Sequence, residues 1–157
     1  MNKLLELLSK NARATNAELA VMTGYTEVQV AAQIAQWERD GIIRGYGAIV
    51  DWDRTDRDYV AAHIELKVSP RRDLGFEGIA DTIMRFDEVE NVTLMSGGYD
   101  LSVTVTGRSF KDIAIFVSKR LATLDSVLST ATHFELRRYK TSGVALLGEE
   151  KDERGAL

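Results

Sequence analysis

The residues with the most chemistry in this sequence lie at Ser96-Gly97-Gly98-Tyr99-Asp100, between two runs of alternating apolar side chains. The flanking runs, 92–95 and 101–106, are rich in β-branched residues. A Gly-Gly pair between two such runs predicts a tight hairpin, because glycine adopts positive φ without steric cost. The turn would hold the Tyr99 phenol and the Asp100 carboxylate beside exposed backbone N–H groups, as a ligand pocket requires. The alternative is an ordinary reverse turn.

The composition gives little support for a disulfide, a metal site or nucleophilic catalysis. The chain has no cysteine, which excludes disulfides and thiolate metal sites. Its two histidines, His63 and His133, are far apart in sequence and lack partners at ligand spacing, so we expect neither a metal site nor a cofactor. Ser96 and Ser102 have no adjacent histidine, so the sequence predicts no nucleophile–base pair.

The overall composition is that of an ordinary soluble domain. The chain is 45% hydrophobic and 28% charged, values typical of globular proteins. No apolar run approaches the length of a membrane span, and the chain begins with an amphipathic pattern instead of a signal peptide. We therefore expect a cytoplasmic protein with no membrane partner. The net charge of −4 does not by itself indicate a nucleic-acid binder.

The first fifty residues predict a helix-turn-helix. The pairs Thr15–Glu18 and Thr26–Gln29 have the form of capping boxes, and each predicts the start of a helix. Gly24 fits the end of the first of these helices, because helices often end in a left-handed residue. The segment 42–50 is predicted as a short β-ribbon broken by glycines, which would complete a winged helix-turn-helix. The alternative is a small helical cap on a larger domain.

The remainder of the chain predicts a second domain with the element order βαββαβ. The predicted elements are a strand at 59–68, a helix at 73–86, a hairpin at 92–106, a helix capped by Ser109 and a strand at 127–139. This order is ferredoxin-like: one antiparallel sheet with two helices on one face. Because no helix remains to cover the other face, we expect a second subunit to cover it.

Taken together, these residues resemble the Lrp/AsnC family of bacterial and archaeal transcription regulators. The C-terminal resemblance rests on the hairpin Gly97-Gly98-Tyr99-Asp100 within the βαββαβ module. The N-terminal resemblance rests on Glu18-Leu19, Gly24, Ile34, Glu38-Arg39, Gly41-Ile42-Ile43 and Gly45-Tyr46.

This resemblance implies an α+β fold, with an N-terminal winged helix-turn-helix followed by a ferredoxin-like sensor domain of the RAM type. The implied domains are a DNA-binding domain at 1–50, a charged hinge at 51–58, an effector-binding and oligomerisation domain at 59–147, and a flexible tail at 148–157. It also implies three partners: operator DNA, a small effector that is usually an amino acid, and further copies of the chain in dimers or larger assemblies.

In the family the hairpin lines an effector pocket at a subunit interface, and here that hairpin offers Gly97, Gly98, Tyr99 and Asp100. Backbone N–H groups at the glycine turn can hold the carboxylate of an amino acid. Asp100 can pair with its ammonium group, and Tyr99 can form an apolar wall. Because Asp100 lies at a turn, we expect Asp100→Ala to abolish the effector response and to leave the fold intact.

The predicted recognition helix, 26–40, departs from the family pattern. The family commonly has arginines at the positions of Gln33, Ala35 and Gln36, whereas here the first arginine of the helix is Arg39. Residues 1–50 contain five basic and five acidic residues, so little phosphate neutralisation is available. The glutamines can still contact base edges, although the alternative is a solvated helix face. The candidate DNA contacts are Thr26, Gln29, Gln33, Gln36 and Arg39.

Three functions from different classes remain open. The favoured one is a sequence-specific DNA-binding regulator whose assembly and operator binding respond to a small effector, an amino acid. The second is a metabolite-binding oligomeric sensor with little DNA affinity of its own, motivated by the arginine-poor helix. The third is an enzyme, because the family fold resembles that of haem-precursor decarboxylases. We do not expect an enzyme, since the acid–base cluster that such chemistry needs is missing from the sequence.

Overall fold

Three helices form the first part of the chain. The computed structural model describes residues 2–70 and 75–146, and the chain divides into two compact units, Met1–Ile49 and Val50–Leu157. The helices of the first unit are α1 (Asn2–Lys10), α2 (Asn16–Thr23) and α3 (Glu27–Arg39). Their apolar faces meet in a buried core made of Leu4, Leu8, Leu19, Val30 and Trp37.

Both predicted capping boxes are present. The Thr15 hydroxyl accepts a hydrogen bond from the Glu18 N–H at 3.2 Å, and the Glu18 carboxylate accepts one from the Thr15 N–H at 2.8 Å. Thr26 and Gln29 make the same exchange at the start of α3, at 3.2 and 2.9 Å. Gly24 has a φ of +78° and ends α2 as predicted, because other residues are strained in that conformation.

The predicted β-ribbon at 42–50 is wrong. Residues 43–51, all of which the structure describes, form no strand. The N–H groups of Ile42 and Ile43 both donate to the Trp37 carbonyl, at 2.9 and 3.1 Å, and close the end of α3. A strand must satisfy its backbone groups against a neighbour, and Gly45 and Gly47 provide no side chains that would hold this segment against one.

A four-stranded antiparallel sheet forms the second unit. In chain order its elements are β1 (Val60–Val68), α4 (Gly75–Met84), β2 (Val89–Leu94), β3 (Leu101–Gly107), α5 (Phe110–Phe116), a π-helical turn (Val117–Leu121) and β4 (Val127–Phe134). The strands lie in the order β2-β3-β1-β4, so the predicted ferredoxin-like α+β fold is confirmed. The predicted cap of α5 is also present, since the Ser109 hydroxyl accepts a hydrogen bond from the Asp112 N–H at 3.1 Å.

Some element ends differ from the sequence prediction. β4 ends at Phe134 instead of Tyr139, because Phe134 pairs with Ala62 near the start of β1 and the ladder partners end there. The chain then forms a small hairpin from β5 (Lys140–Thr141) and β6 (Val144–Ala145). Positions 73–74 of the predicted helix and the predicted tail at 148–157 lie outside the described residues.

The sheet has one apolar and one mostly polar face. On the apolar face, alternate residues of β1 and β3 join α4 and α5 in one buried core, which includes Ile64, Leu66, Val103, Ile83 and Ile113. Residues directly opposite on paired strands share a face, and the polar face therefore carries two rows of side chains. These rows are Asn91–Thr104–His63–His133 and Thr93–Ser102–Glu65–Ala131.

Candidate functional site

The predicted hairpin connects β2 to β3 and is tied to β1 through Asp100. The Met95 N–H donates to the Asp100 carbonyl at 2.8 Å, which closes the turn. The Asp100 N–H donates to the Leu66 carbonyl at 2.9 Å, and the Asp100 carboxylate (Oδ2) accepts a hydrogen bond from the Val68 N–H at 2.8 Å. On its other side β1 pairs with β4, and that pairing shifts register at Lys67/Val68. Asp100 supplies the acceptor that the Val68 N–H needs there.

This geometry changes the expected role of Asp100. Its side chain is half-buried and holds a strand of the core sheet, so the expectation that Asp100→Ala leaves the fold intact is not supported. Among the described residues, no hydrogen bond is made to its second carboxylate oxygen, Oδ1, which can still accept one from a ligand. Within the described part of the chain, Asp100 therefore makes one structural contact through Oδ2 and leaves Oδ1 without a hydrogen-bond partner.

The glycines of the hairpin leave open space beside the turn. Gly97 has a φ of +135°, a conformation that strongly favours glycine, and a Cβ at Gly97 or at Gly98 would meet no atom within 4 Å. Both residues are exposed. Their backbone groups are thus accessible to a small ligand next to the Asp100 carboxylate.

The structure brings His63 close to the hairpin and places His133 beside His63, although the two histidines are far apart in sequence. The His63 ring lies edge-on to the Tyr99 ring, with the centroids 6.5 Å apart, and its Nε2 lies 3.3 Å from the Ser102 hydroxyl. His133 is the cross-strand partner of His63 on β4, and its Nε2 lies 3.5 Å from the Glu65 carboxylate. Strand register was the signal that could have revealed this cluster, since β1 lies between β3 and β4. In the described ranges, no three His, Asp or Glu side chains are arranged to hold a metal ion.

The second candidate site is the exposed surface of α3. Gln29, Gln33 and Gln36 line one shallow groove along the helix, together with Tyr25 and Ala32. These three candidate DNA contacts therefore lie on one face of α3. Two apolar side chains of α2 and α3 are also strongly exposed, since Val21 and Val28 are 86% and 78% exposed.

Most of the predicted DNA contacts already have partners within the helix. The side-chain oxygen of Gln29 (Oε1) accepts hydrogen bonds from the N–H and the hydroxyl of Thr26, at 2.9 and 3.2 Å. The Gln36 amide donates to Asp40 at 2.8 Å and accepts from Arg39 at 2.7 Å. Of the predicted contacts, only Gln33 makes no side-chain hydrogen bond to a described residue.

The segment after α3 contacts the recognition helix through Tyr46. The Tyr46 hydroxyl donates a hydrogen bond to the Glu38 carboxylate at 2.7 Å. This hydrogen bond, together with the nearby negative charge, raises the pKa of Tyr46 above its ordinary value. Glu38 and Asp40 place negative charge at the end of α3, where a DNA-binding helix would favour positive charge.

The sequence matches two family models and a regulator from Bacillus subtilis. A model of the Lrp/AsnC ligand binding domain matches residues 61–145, and a model of a winged helix-turn-helix DNA-binding domain matches residues 2–44. The chain is 44% identical over 153 residues to the HTH-type transcriptional regulator YugG of Bacillus subtilis, covering 97% of this chain and 92% of that protein.

Two solved structures share the fold. The structure of AsnC from E. coli has a TM-score of 0.66 at 24% identity and covers 88% of this chain and 91% of that one. The regulator NMB0573 of Neisseria meningitidis, solved as its L-Met complex, has a TM-score of 0.71 at 23% identity and covers 92% and 93%. No helix in the described part of the chain is long and apolar enough to cross a membrane.

Proposed function

Because the chain belongs to the Lrp/AsnC family of transcription regulators, we propose that it binds operator DNA through α3 and that an amino acid bound at the 97–100 hairpin changes this binding. A helix-turn-helix DNA-binding domain and a ligand-binding domain make it a transcription regulator, and the enzyme hypothesis is set aside.

One observation carries the effector proposal: exposed glycine backbone lies beside a half-buried carboxylate. Gly97 and Gly98 leave open space, where backbone N–H groups can donate hydrogen bonds to the carboxylate of an amino acid. The Oδ1 of Asp100 is available for its ammonium group, and the Tyr99 and His63 rings supply a wall. The bound L-Met of the Neisseria meningitidis regulator supports the same class of ligand.

We further propose that the effector acts through self-association. The polar sheet face carries half-buried side chains such as His63, Glu65 and Thr104, and this face suits a second copy of the chain. A ligand that contacts two subunits stabilises the assembly in which both contacts are made. A change of assembly alters the spacing between the helix-turn-helix units and thereby the operators that fit.

For DNA binding, Gln33 is the side chain with the clearest opportunity to contact a base. Its amide is not tied to a neighbour within the described residues, and it lies in the groove between Gln29 and Gln36. A glutamine can make two hydrogen bonds to adenine in the major groove, worth about 1–3 kcal/mol of discrimination. Avidity from several linked units can compensate for the absence of net positive charge in residues 1–50.

The second candidate function is an oligomeric metabolite sensor with little DNA affinity of its own. It is favoured by the local partners of Gln29, Gln36 and Arg39 and by the negative charge of Glu38 and Asp40 beside them. The two functions predict different results for a variant that lacks a base contact: a DNA-binding regulator loses operator affinity, whereas a metabolite sensor keeps its activity.

Footprinting of the region upstream of the protein's own gene, with each amino acid added singly, tests both functions. We expect protection that one amino acid alters, and we expect Gln33→Ala to weaken it about tenfold. Asn11→Ala removes an exposed amide outside α3 and should bind like the wild type. Absence of protection under every condition contradicts the regulator proposal, and protection unaffected by Gln33→Ala contradicts the role of Gln33.

A further inference from the structure

A cavity of about 150 Å³ lies in the second unit, away from the 97–100 hairpin. Its walls come from the segment before β1, the first residues of β1, the start of α5 and the segment that follows β4. Asp100 contacts β1 at Val68, whereas the cavity contacts β1 at Tyr59–Ala61. Val68 lies seven positions after Ala61 along β1, which places these two contact points about 23 Å apart at about 3.3 Å per residue.

Aromatic side chains form the apolar part of this cavity. Trp52, in a 3-10 turn at Trp52–Arg54, stacks on Tyr59 with the ring centroids 5.5 Å apart. On another wall, Phe110 is 52% exposed although it packs edge-on against Phe134 at 4.9 Å. A cavity of about 150 Å³ with apolar walls can hold a group the size of benzene.

One charged pair in the wall is already compensated. The Arg138 guanidinium donates two hydrogen bonds to the Glu135 carboxylate at 3.0 and 2.7 Å. The hydrogen bond to Glu135 raises the pKa of Arg138 above its ordinary value. These two side chains thus support the wall and neutralise each other, and they leave little net charge for a ligand.

The other charged groups in the wall, Asp51, Asp53 and Arg137, lack such partners among the described residues. Asp51 is half-buried and precedes the 3-10 turn, but its side chain makes no capping hydrogen bond. The Arg137 guanidinium stacks on Tyr139, 5.6 Å from its centroid, and forms no ion pair within the described ranges. Asp53 in the same wall also lacks an ion pair among the described residues, but it is exposed. The cavity therefore offers one half-buried carboxylate, one exposed carboxylate and one uncompensated guanidinium beside apolar walls.

We propose that this cavity is a second small-molecule site, which binds a zwitterionic amino acid with an apolar side chain. Its ammonium group pairs with Asp51, its carboxylate pairs with Arg137, and its side chain packs against Phe110. Asp51 is the second residue after Ile49, where the first unit ends, so this ligand binds the segment that leads out of the helix-turn-helix unit. The site does not require the 97–100 hairpin to bind anything.

Equilibrium dialysis of the full chain against labelled L-Leu, L-Met and L-Phe tests the second site. We expect two molecules of one of these amino acids per wild-type chain. Asp51→Asn and Arg137→Gln should each remove one of them, or weaken it at least tenfold. Asp56→Asn and Arg108→Gln are the matched controls, because each makes the same change at an exposed position outside the cavity.

The hairpin variant Asp100→Asn separates the two sites. If the chain binds one molecule that Arg137→Gln removes and Asp100→Asn retains, the cavity site stands and the hairpin proposal fails. If it binds one molecule that Asp51→Asn and Arg137→Gln leave unchanged, the cavity proposal is overturned. Absence of binding, or an equal loss in the control variants, overturns it as well.

Discussion

Replacement of Asp100 by alanine should destabilise the sensor sheet, because Asp100 supplies a backbone acceptor to β1. The Val68 N–H donates to the Asp100 carboxylate at 2.8 Å, and Val68 itself is only 6% exposed. Removal of the carboxylate leaves this donor without its partner, which costs about 1–3 kcal/mol of unfolding free energy. At about 4 °C per kcal/mol for a unit of this size, the Tm should fall by roughly 4–12 °C.

Asp100→Asn is the matched variant, because the amide oxygen can still accept from the Val68 N–H while the negative charge is lost. Urea titration of both variants, followed by circular dichroism, should show a lower midpoint for alanine and a nearly normal midpoint for asparagine. Asp87→Ala, which removes an exposed carboxylate near the start of β2, should behave like the wild type. Equal stability of the alanine variant and the wild type would refute the structural role of Asp100.

Asparagine at position 100 also separates folding from effector binding. Without the carboxylate charge, the ammonium group of an amino acid loses its ionic partner at the hairpin. The thermal shift that an amino acid produces in the wild type should therefore shrink in Asp100→Asn, although the variant is folded. A full thermal shift in this variant would contradict the assigned binding role.

Three further predictions follow from single contacts. Trp37→Ala should lower the free energy of unfolding of the first unit by about 3–5 kcal/mol, because Trp37 is only 6% exposed in the small core of that unit. A thermal melt followed by helical ellipticity measures this loss. Gly97→Ala should lower the free energy of unfolding by about 1–3 kcal/mol, because Gly97 has a positive φ, whereas Gly98→Ala should change it little. Equal urea midpoints for the two variants would contradict this prediction. Alkaline titration at 295 nm should show that Glu38→Gln lowers the pKa of Tyr46, because the hydrogen bond to Glu38 raises it in the wild type. Since the folded-state pKa is raised, the contact stabilises the fold below pH 10. This stabilisation is lost as Tyr46 ionises at higher pH.

Local features of the fold could be predicted from the sequence alone. The capping boxes at Thr15 and Thr26 involve groups only three residues apart, and the φ of Gly24 depends on one residue. The strands and helices of the second unit follow from the period of their apolar residues. The β-ribbon at 42–50 failed because alternation predicts a strand only where a neighbour is available to pair with it.

The sequence by itself determined the three N-terminal helices, the βαββαβ order of the second unit, the turn at Gly97-Gly98 and the lack of positive charge on α3. The tertiary structure decided which distant groups meet. Asp100 reaches Val68 across 32 residues, and Ser102 reaches His63 across 39. These contacts depend on the order and register of the strands, where a shift by one residue moves every side chain to the opposite face. Residue types and spacing therefore located the hairpin, whereas the pairing of β1 with β3 and β4 determined that Asp100 holds a strand and that the two histidines lie side by side.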